Sequence, residues 1–231
     1  LGVASTIRPG EYLIEVSSAA ESSVSRTVEV TERQFAREEI RLNMTITELR
    51  RDDDPKKREE ALELIALTNG FDPAGIFWAD SFLMPVASER RTSGFGDRRR
   101  FLYTDGEDAH SIHNGIDYAA PTGTPVVAPG AGKVVFADSR IVTGNSVVIE
   151  HFPGVYGLFY HLDAIAVSTG EVVRAGTPIG TVGSTGVSTG PHLHWELRVG
   201  GVSVDPGPYL HEPLVDSDGG IGAISEHTEG G

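Results

Sequence analysis

From about residue 87 the chain is cut into short runs by glycine and proline turns: Pro121-Thr122-Gly123, Pro129-Gly130-Ala131-Gly132, Pro153-Gly154 and Gly183-Ser184-Thr185-Gly186. Runs this short, rich in Val, Ile and Tyr, suit strands joined by hairpins rather than helices. The pattern predicts strands over 115–119, 125–129, 132–138, 145–152, 155–161, 178–182 and 192–199. The expected class is mainly β, with a Gly-rich antiparallel sheet domain over residues 87–210. The 28 glycines and 13 prolines among 231 residues fit that class.

Residues 1–86 read as an accessory region of short strands plus one helix. Alternation is loose over 11–16 and cleaner over 23–31, after a turn at Arg8-Pro9-Gly10. The helix is expected over 55–69: Asp54 is a good N-cap, Pro55 suits the first turn, and Asn69-Gly70 can end it. Ala61 and Leu62 with Ile65 and Ala66 make its apolar stripe. The charge run Arg50 to Glu60 reads as a solvated face. Residues 71–86, with Phe77-Trp78 and Phe82-Leu83, form a connector, and residues 211–231 an acidic, Gly-rich, loose tail.

Composition excludes several functions. A net charge of −14 makes nucleic acid and anionic lipid poor partners. With no cysteine, thiolate-held zinc and disulfides are ruled out. No apolar run reaches the ~20 residues of a membrane span. The abrupt opening Leu1-Gly2-Val3 suggests a trimmed chain whose leader or anchor is missing.

The chemistry concentrates in His113-Asn114-Gly115-Ile116-Asp117 and His192-Leu193-His194. On strands, residues two or four apart share a face. Two imidazoles and a carboxylate facing inward make a zinc-type ligand set with one position open, and the remaining histidine stands beside it. His161, in Tyr160-His161-Leu162, is the fifth candidate, and alternation turns Tyr160 to the opposite face. The carboxylate and later histidine of a cupin are absent, as is the His-Glu-x-x-His of zincins. Arg98 and Asn145 are candidates for substrate contact or for fixing loops, and His151 for capping a strand end. Lys133, after a glycine, is a weak match to a lipoyl-type module.

These residues closely resemble the lysostaphin-like, LytM-type zinc endopeptidases of cell-wall hydrolysis. The resemblance runs over about residues 90–209. It includes the lead-in Ser93-Gly94-Phe95-Gly96-Asp97-Arg98-Arg99, the segment Pro121-Thr122-Gly123-Thr124-Pro125-Val126-Val127-Ala128, and Ser184-Thr185-Gly186 through Gly190-Pro191-His192-Leu193-His194-Trp195-Glu196. It implies a zinc ion on His113, Asp117 and His194, with His161 and His192 as catalytic histidines. It further implies hydrolysis of peptidoglycan stem or cross-bridge peptides by a metal-activated water, in a bacterial envelope, periplasmic or extracellular. The segment Arg100 to Ser111 departs from the family pattern and is expected to reshape the cleft rim. The competing reading is a non-catalytic LytM-type regulator of another hydrolase. Such regulators typically lack one or more of the five residues, and all five are present here.

Overall fold

The computed structural model describes residues 2–17, 23–75, 77, 80–88 and 90–214. Trp78 and residues 215–231 of the expected tail lie outside the described residues. The chain divides into two compact units, one of Phe35–Leu214 with residues 2–5, the other containing Thr6–Gln34. The smaller unit is a hairpin of β1 (Gly10–Ser17) and β2 (Ser23–Val30), paired antiparallel.

The larger unit begins with β3 (Arg37–Arg41), α1 (Met44–Arg51) and α2 (Pro55–Asn69). α1 is a second helix beyond the one expected. Its start is set by Asn43, whose side chain accepts the Ile46 N–H at 2.9 Å, and Arg50 and Arg51 offset the dipole at its end. α2 follows the expected span, and Asp54 caps it by accepting the Lys56 N–H at 2.9 Å. Gly70 ends it in an extended conformation rather than a left-handed one. The expected apolar stripe is wrong. Leu62 and Ile65 are 59% and 49% exposed, and the helix instead turns Glu60, Leu64, Leu67 and Thr68 inward. Half of this face is polar and satisfied by partners. Glu60 Oε2 accepts the Ile141 N–H at 2.9 Å, and Thr68 Oγ1 accepts from Arg198 at 3.2 Å. Hydrophobicity alone therefore points to the wrong side.

Strands follow from residue 91: β4 (Arg91–Ser93), β5 (Arg98–Leu102), β6 (Asp108–Ile112), β7 (Gly115–Ala119), β8 (Pro125–Val127), β9 (Gly132–Arg140), β10 (Gly144–Phe152), β11 (Val155–Ile165), β12 (Val172–Val173), β13 (Pro178–Val182), β14 (His192–Val199) and β15 (Val202–Val204). The main sheet has the order β12-β9-β10-β11-β14-β7-β4, with β13 joining β11 to β8 and β15 flanking β14. The expected class, mainly β with a Gly-rich antiparallel sheet, is what the chain adopts. The segment expected to alter the cleft rim is the β5–β6 hairpin, and β5 pairs in parallel with β3 to make a small second sheet.

Alternation sorts the two faces of the main sheet. Val147, Ile149, Phe159, Leu193, Trp195 and Leu197 fill one side. Val148, Tyr156, Leu158 and Tyr160 point the other way, where Leu64 and Leu67 of α2 cover them. His194 and Asp117 belong to this second face, because Tyr160 pairs opposite His194 and His194 opposite Asp117. Among the described residues no helix is long and apolar enough to cross a membrane.

Candidate metal centre

Asp117 and His194 meet because they are direct partners across β7 and β14. Gly115 permits the close approach. A Cβ there would run into the Trp195 carbonyl and stand 2.9 Å from His194 Nε2. His113 is not on a strand, as the spacing suggested, but in the link between β6 and β7. Its backbone is held on both sides, donating to Asp97 O at 2.9 Å and accepting from Gly96 N at 2.7 Å.

The hydrogen bonds assign the His113 tautomer. Nδ1 lies 2.8 Å from Gly94 O, so it carries the proton and leaves Nε2 as a lone pair. That Nε2 stands 3.1 Å from Asp117 Oδ1 and 2.9 Å from His194 Nδ1, which is itself 2.8 Å from the same Oδ1. All three groups are buried, with their donor atoms within 4.8 Å of one another. Electron-pair donors this close, with too few protons to share, fit a cation among them. Without a metal, a proton held on His194 serves as that cation, and a metal would displace it. Burial works against the His194 cation, yet hydrogen bonding to Asp117 and the neighbouring Glu196 carboxylate raise it to about 9. Burial also works against the Asp117 carboxylate, but the adjoining His113 and His194 imidazoles hold it well below the usual range. The group can hold a metal ion, and two nitrogens with one oxygen suit a borderline transition metal.

A supporting layer reaches the cluster from residues that spacing does not reveal. Ser93 Oγ lies 3.1 Å from His113 Nδ1 and donates to Glu38 Oε2 at 3.0 Å. Arg99 Nη2 binds Asp117 Oδ2 at 2.5 Å while its Nε binds the same Glu38 oxygen at 3.1 Å. One carboxylate on β3 therefore steadies two of the three candidate ligands. Arg99 closes the lead-in motif, but its partner Glu38 lies 61 residues away and no motif marks it.

His161 and His192 lie beside the cluster, their rings 4.8 Å apart, with His161 6.2 Å from the His194 ring. Each offers Nδ1–H to a backbone carbonyl, Thr185 O and Gly190 O respectively, both at 2.8 Å. Nε2 is then the lone-pair nitrogen of each, and that of His192 is 3.7 Å from Asp117 Oδ1. Burial, then the neighbouring His192 and His194, push His161 down to about 3, and burial lowers His192. Both are neutral imidazoles.

Tyr160 does not face away. His161 has φ +62°, the one left-handed non-glycine among the described residues, and this turns its side chain onto the face that Tyr160 already occupies. The Tyr160 ring stacks on His194 at 5.3 Å and 3°. The other candidates serve structure. Arg98 donates to Gly96 O at 2.8 Å, Asn145 to Asp163 O at 3.0 Å, and His110 is exposed on β6. His151 stands near the end of β10, fully buried, and its Nδ1–H binds the carbonyl of Ala131 just ahead of β9 at 2.9 Å.

Residues 111–206 match the model of peptidase family M23. The chain is 46% identical over 123 residues to the DD-carboxypeptidase/endopeptidase Mpg of Neisseria meningitidis, covering 53% of this chain and 27% of that protein. It is 40% identical over 139 residues to the peptidoglycan DD-endopeptidase ShyC of Vibrio cholerae, covering 60% and 31%. The chain thus spans about three tenths of the curated relatives it matches. A crystal structure of a putative peptidase M23 from Pseudomonas aeruginosa superposes with a TM-score of 0.67 at 27% identity, covering 91% of this chain and 77% of that one. Residues 111–206 are thus a peptidase M23 domain, and the motifs, the sheet and the His-Asp-His cluster carry its likeness to the lysostaphin-like metallopeptidases.

Proposed function

We propose that this chain is a zinc-dependent endopeptidase that hydrolyses peptide bonds of bacterial peptidoglycan. The observation that carries the reading is the convergence of His113 Nε2, Asp117 Oδ1 and His194 Nδ1 beside two neutral imidazoles. In this reading His113, Asp117 and His194 hold the ion, and His161 and His192 are catalytic. When bound, zinc supplies Lewis acidity and makes a water nucleophilic near neutral pH. His161 and His192 both begin as acceptors at Nε2. One takes the proton released by the attacking water and, now a cation, can hand it to the leaving amine. The backbone carbonyls of Thr185 and Gly190 keep both rings in the tautomer that this transfer needs. The peptidoglycan substrate is supported by the named activity of the Vibrio relative, and it implies a place in the cell envelope.

The test is mass spectrometry of fragments released from defined peptidoglycan, with bound zinc measured on three variants. His194→Ala should lose zinc and activity together. His161→Ala and His192→Ala should keep zinc and lose about 10²–10³ in turnover. A zinc-loaded wild type that releases nothing would point instead to a regulator, and a fully active His161→Ala or His192→Ala would remove that residue from the mechanism.

A further inference from the structure

The groove that contains the imidazoles, about 440 Å³, also runs along the inward side of α2. The chain as a whole is strongly acidic, yet Arg50, Lys57, Arg99, Arg140 and Arg198 line this groove. Arg99 is paired with Glu38 and Asp117, and Arg198 with Glu196. Arg140 has no carboxylate partner among the described residues. Its Nη2 donates to the backbone carbonyl of Glu60 at 2.5 Å, which leaves its remaining N–H groups for another acceptor. Arg50 is similarly without a carboxylate among the described residues, its guanidinium stacked 3.9 Å over Phe101 and its Nε on the Tyr103 hydroxyl at 3.2 Å. Tyr160 lines the same groove at 5% exposure, and its buried hydroxyl has no hydrogen-bond partner. Glu196, Arg198 and Arg140 are the charged groups that act on it. A sealed hydroxyl is costly to leave unsatisfied, and a guanidinium is the side chain best matched to a carboxylate.

We propose that Arg140, with the Tyr160 hydroxyl, forms a subsite for a free carboxylate of the substrate beside the scissile amide, so that cross-links carrying that carboxylate are preferred to amidated ones. The subsite rests on the peptidase reading above, which supplies the scissile bond. A peptide carboxylate accepts from both groups, and Arg140 lines the groove with no carboxylate among the described residues to neutralise it, whereas Arg99 and Arg198 are paired with Glu38, Asp117 and Glu196.

The experiment uses the full chain, with and without zinc, and two synthetic cross-linked stem peptides that differ only in a free or amidated carboxylate next to the cleaved bond. Binding is measured by calorimetry on metal-free protein and turnover on the loaded protein. Wild type should bind and cleave the free acid at least about tenfold better. Arg140→Gln should collapse that ratio, Arg140→Lys should restore part of it, and Tyr160→Phe should raise KM for the free acid with little change in melting temperature. Equal affinity of wild type for the two peptides overturns the subsite. Preferential binding without cleavage overturns the peptidase reading and leaves the subsite standing. If Arg140→Gln melts early, Arg140→Lys and Tyr160→Phe read the ratio in its place, and an unaltered ratio in both overturns the proposal.

Discussion

His151 sits fully buried in β10 against Phe82, their rings 4.9 Å apart. Its Nδ1–H donates to Ala131 O at 2.9 Å, and Nε2 has no partner. The missing Cβ of Gly157 makes room for it, since an added one would stand 2.7 Å from Nε2. Burial pushes the imidazole down to about 4. The folded-state value lies below the unfolded ~6.5, so the unfolded chain takes up the proton first as pH falls. The neutral ring costs nothing above ~6.5, and stability is lost progressively from ~6.5 down to about 4, by about 3 kcal/mol in all. Denaturant unfolding across that range should show a steeper slope in wild type than in His151→Gln, which keeps only the contribution of the other buried histidines. Parallel curves would sink the idea. At this scale the sequence announced the meeting of His113, Asp117, His161, His192 and His194, because each lies in a motif of recognisable spacing. It misplaced Tyr160 because strand alternation assumes regular backbone, and one φ of +62° at His161 breaks the assumption. Nor does spacing show that a histidine such as His151 is fully enclosed by strands from elsewhere in the chain.

Among elements, β3 has an influence out of proportion to its five residues. Its parallel pairing with β5 sets Glu38 opposite Arg99, and Glu38 then steadies His113 through Ser93 and Asp117 through Arg99. Supporting groups of this kind commonly change metal affinity by about 10–100-fold. Glu38→Ala should therefore weaken zinc binding by about that factor in a chelator competition, while the main sheet keeps its far-ultraviolet signature. An unchanged dissociation constant would show that the network is ornamental. Strands such as 115–119 and 192–199 were legible from turns and alternation. β3, β5 and β6 were not, because β3 pairs with a segment some 60 residues away and the β5–β6 hairpin is mostly charged and polar, without apolar alternation. α1 escaped notice because its two turns are announced by little more than Asn43. The inward face of α2 was misread because polar Glu60 and Thr68 occupy half of it.

For the whole molecule, the cluster joins the β6–β7 link, β7 and β14, so a bound ion cross-links distant parts of the larger unit. A ligand that binds only the folded state at a thousandfold excess over its dissociation constant adds about 4 kcal/mol. For a unit of this size that corresponds to a melting shift on the order of 10 °C. Chelation should lower the melting temperature by roughly that amount without unfolding the chain at 25 °C, because the core around Trp195, Phe159 and Ile149 is built on the opposite face of the sheet. Superimposable melting curves, with zinc content verified in each sample, would count against a tight structural coupling of the ion.

The parallel ladder between β3 and β5 has a practical corollary for anyone who excises the catalytic part. The matched segment begins at residue 111, yet Arg99 and Glu38 precede it. A minimal fragment starting near residue 87 would keep every candidate ligand and still discard the strand that braces two of them, the helix that borders the groove, and the main-chain carbonyl that anchors Arg140. Such a fragment would be a different reagent from its parent, with looser zinc and a more open cleft. Truncation points for crystallography or assay are better set no later than Phe35, and only a chain that keeps residues 2–5 retains the whole of that compact unit, with Ser5 O accepting from Arg98 at 2.9 Å.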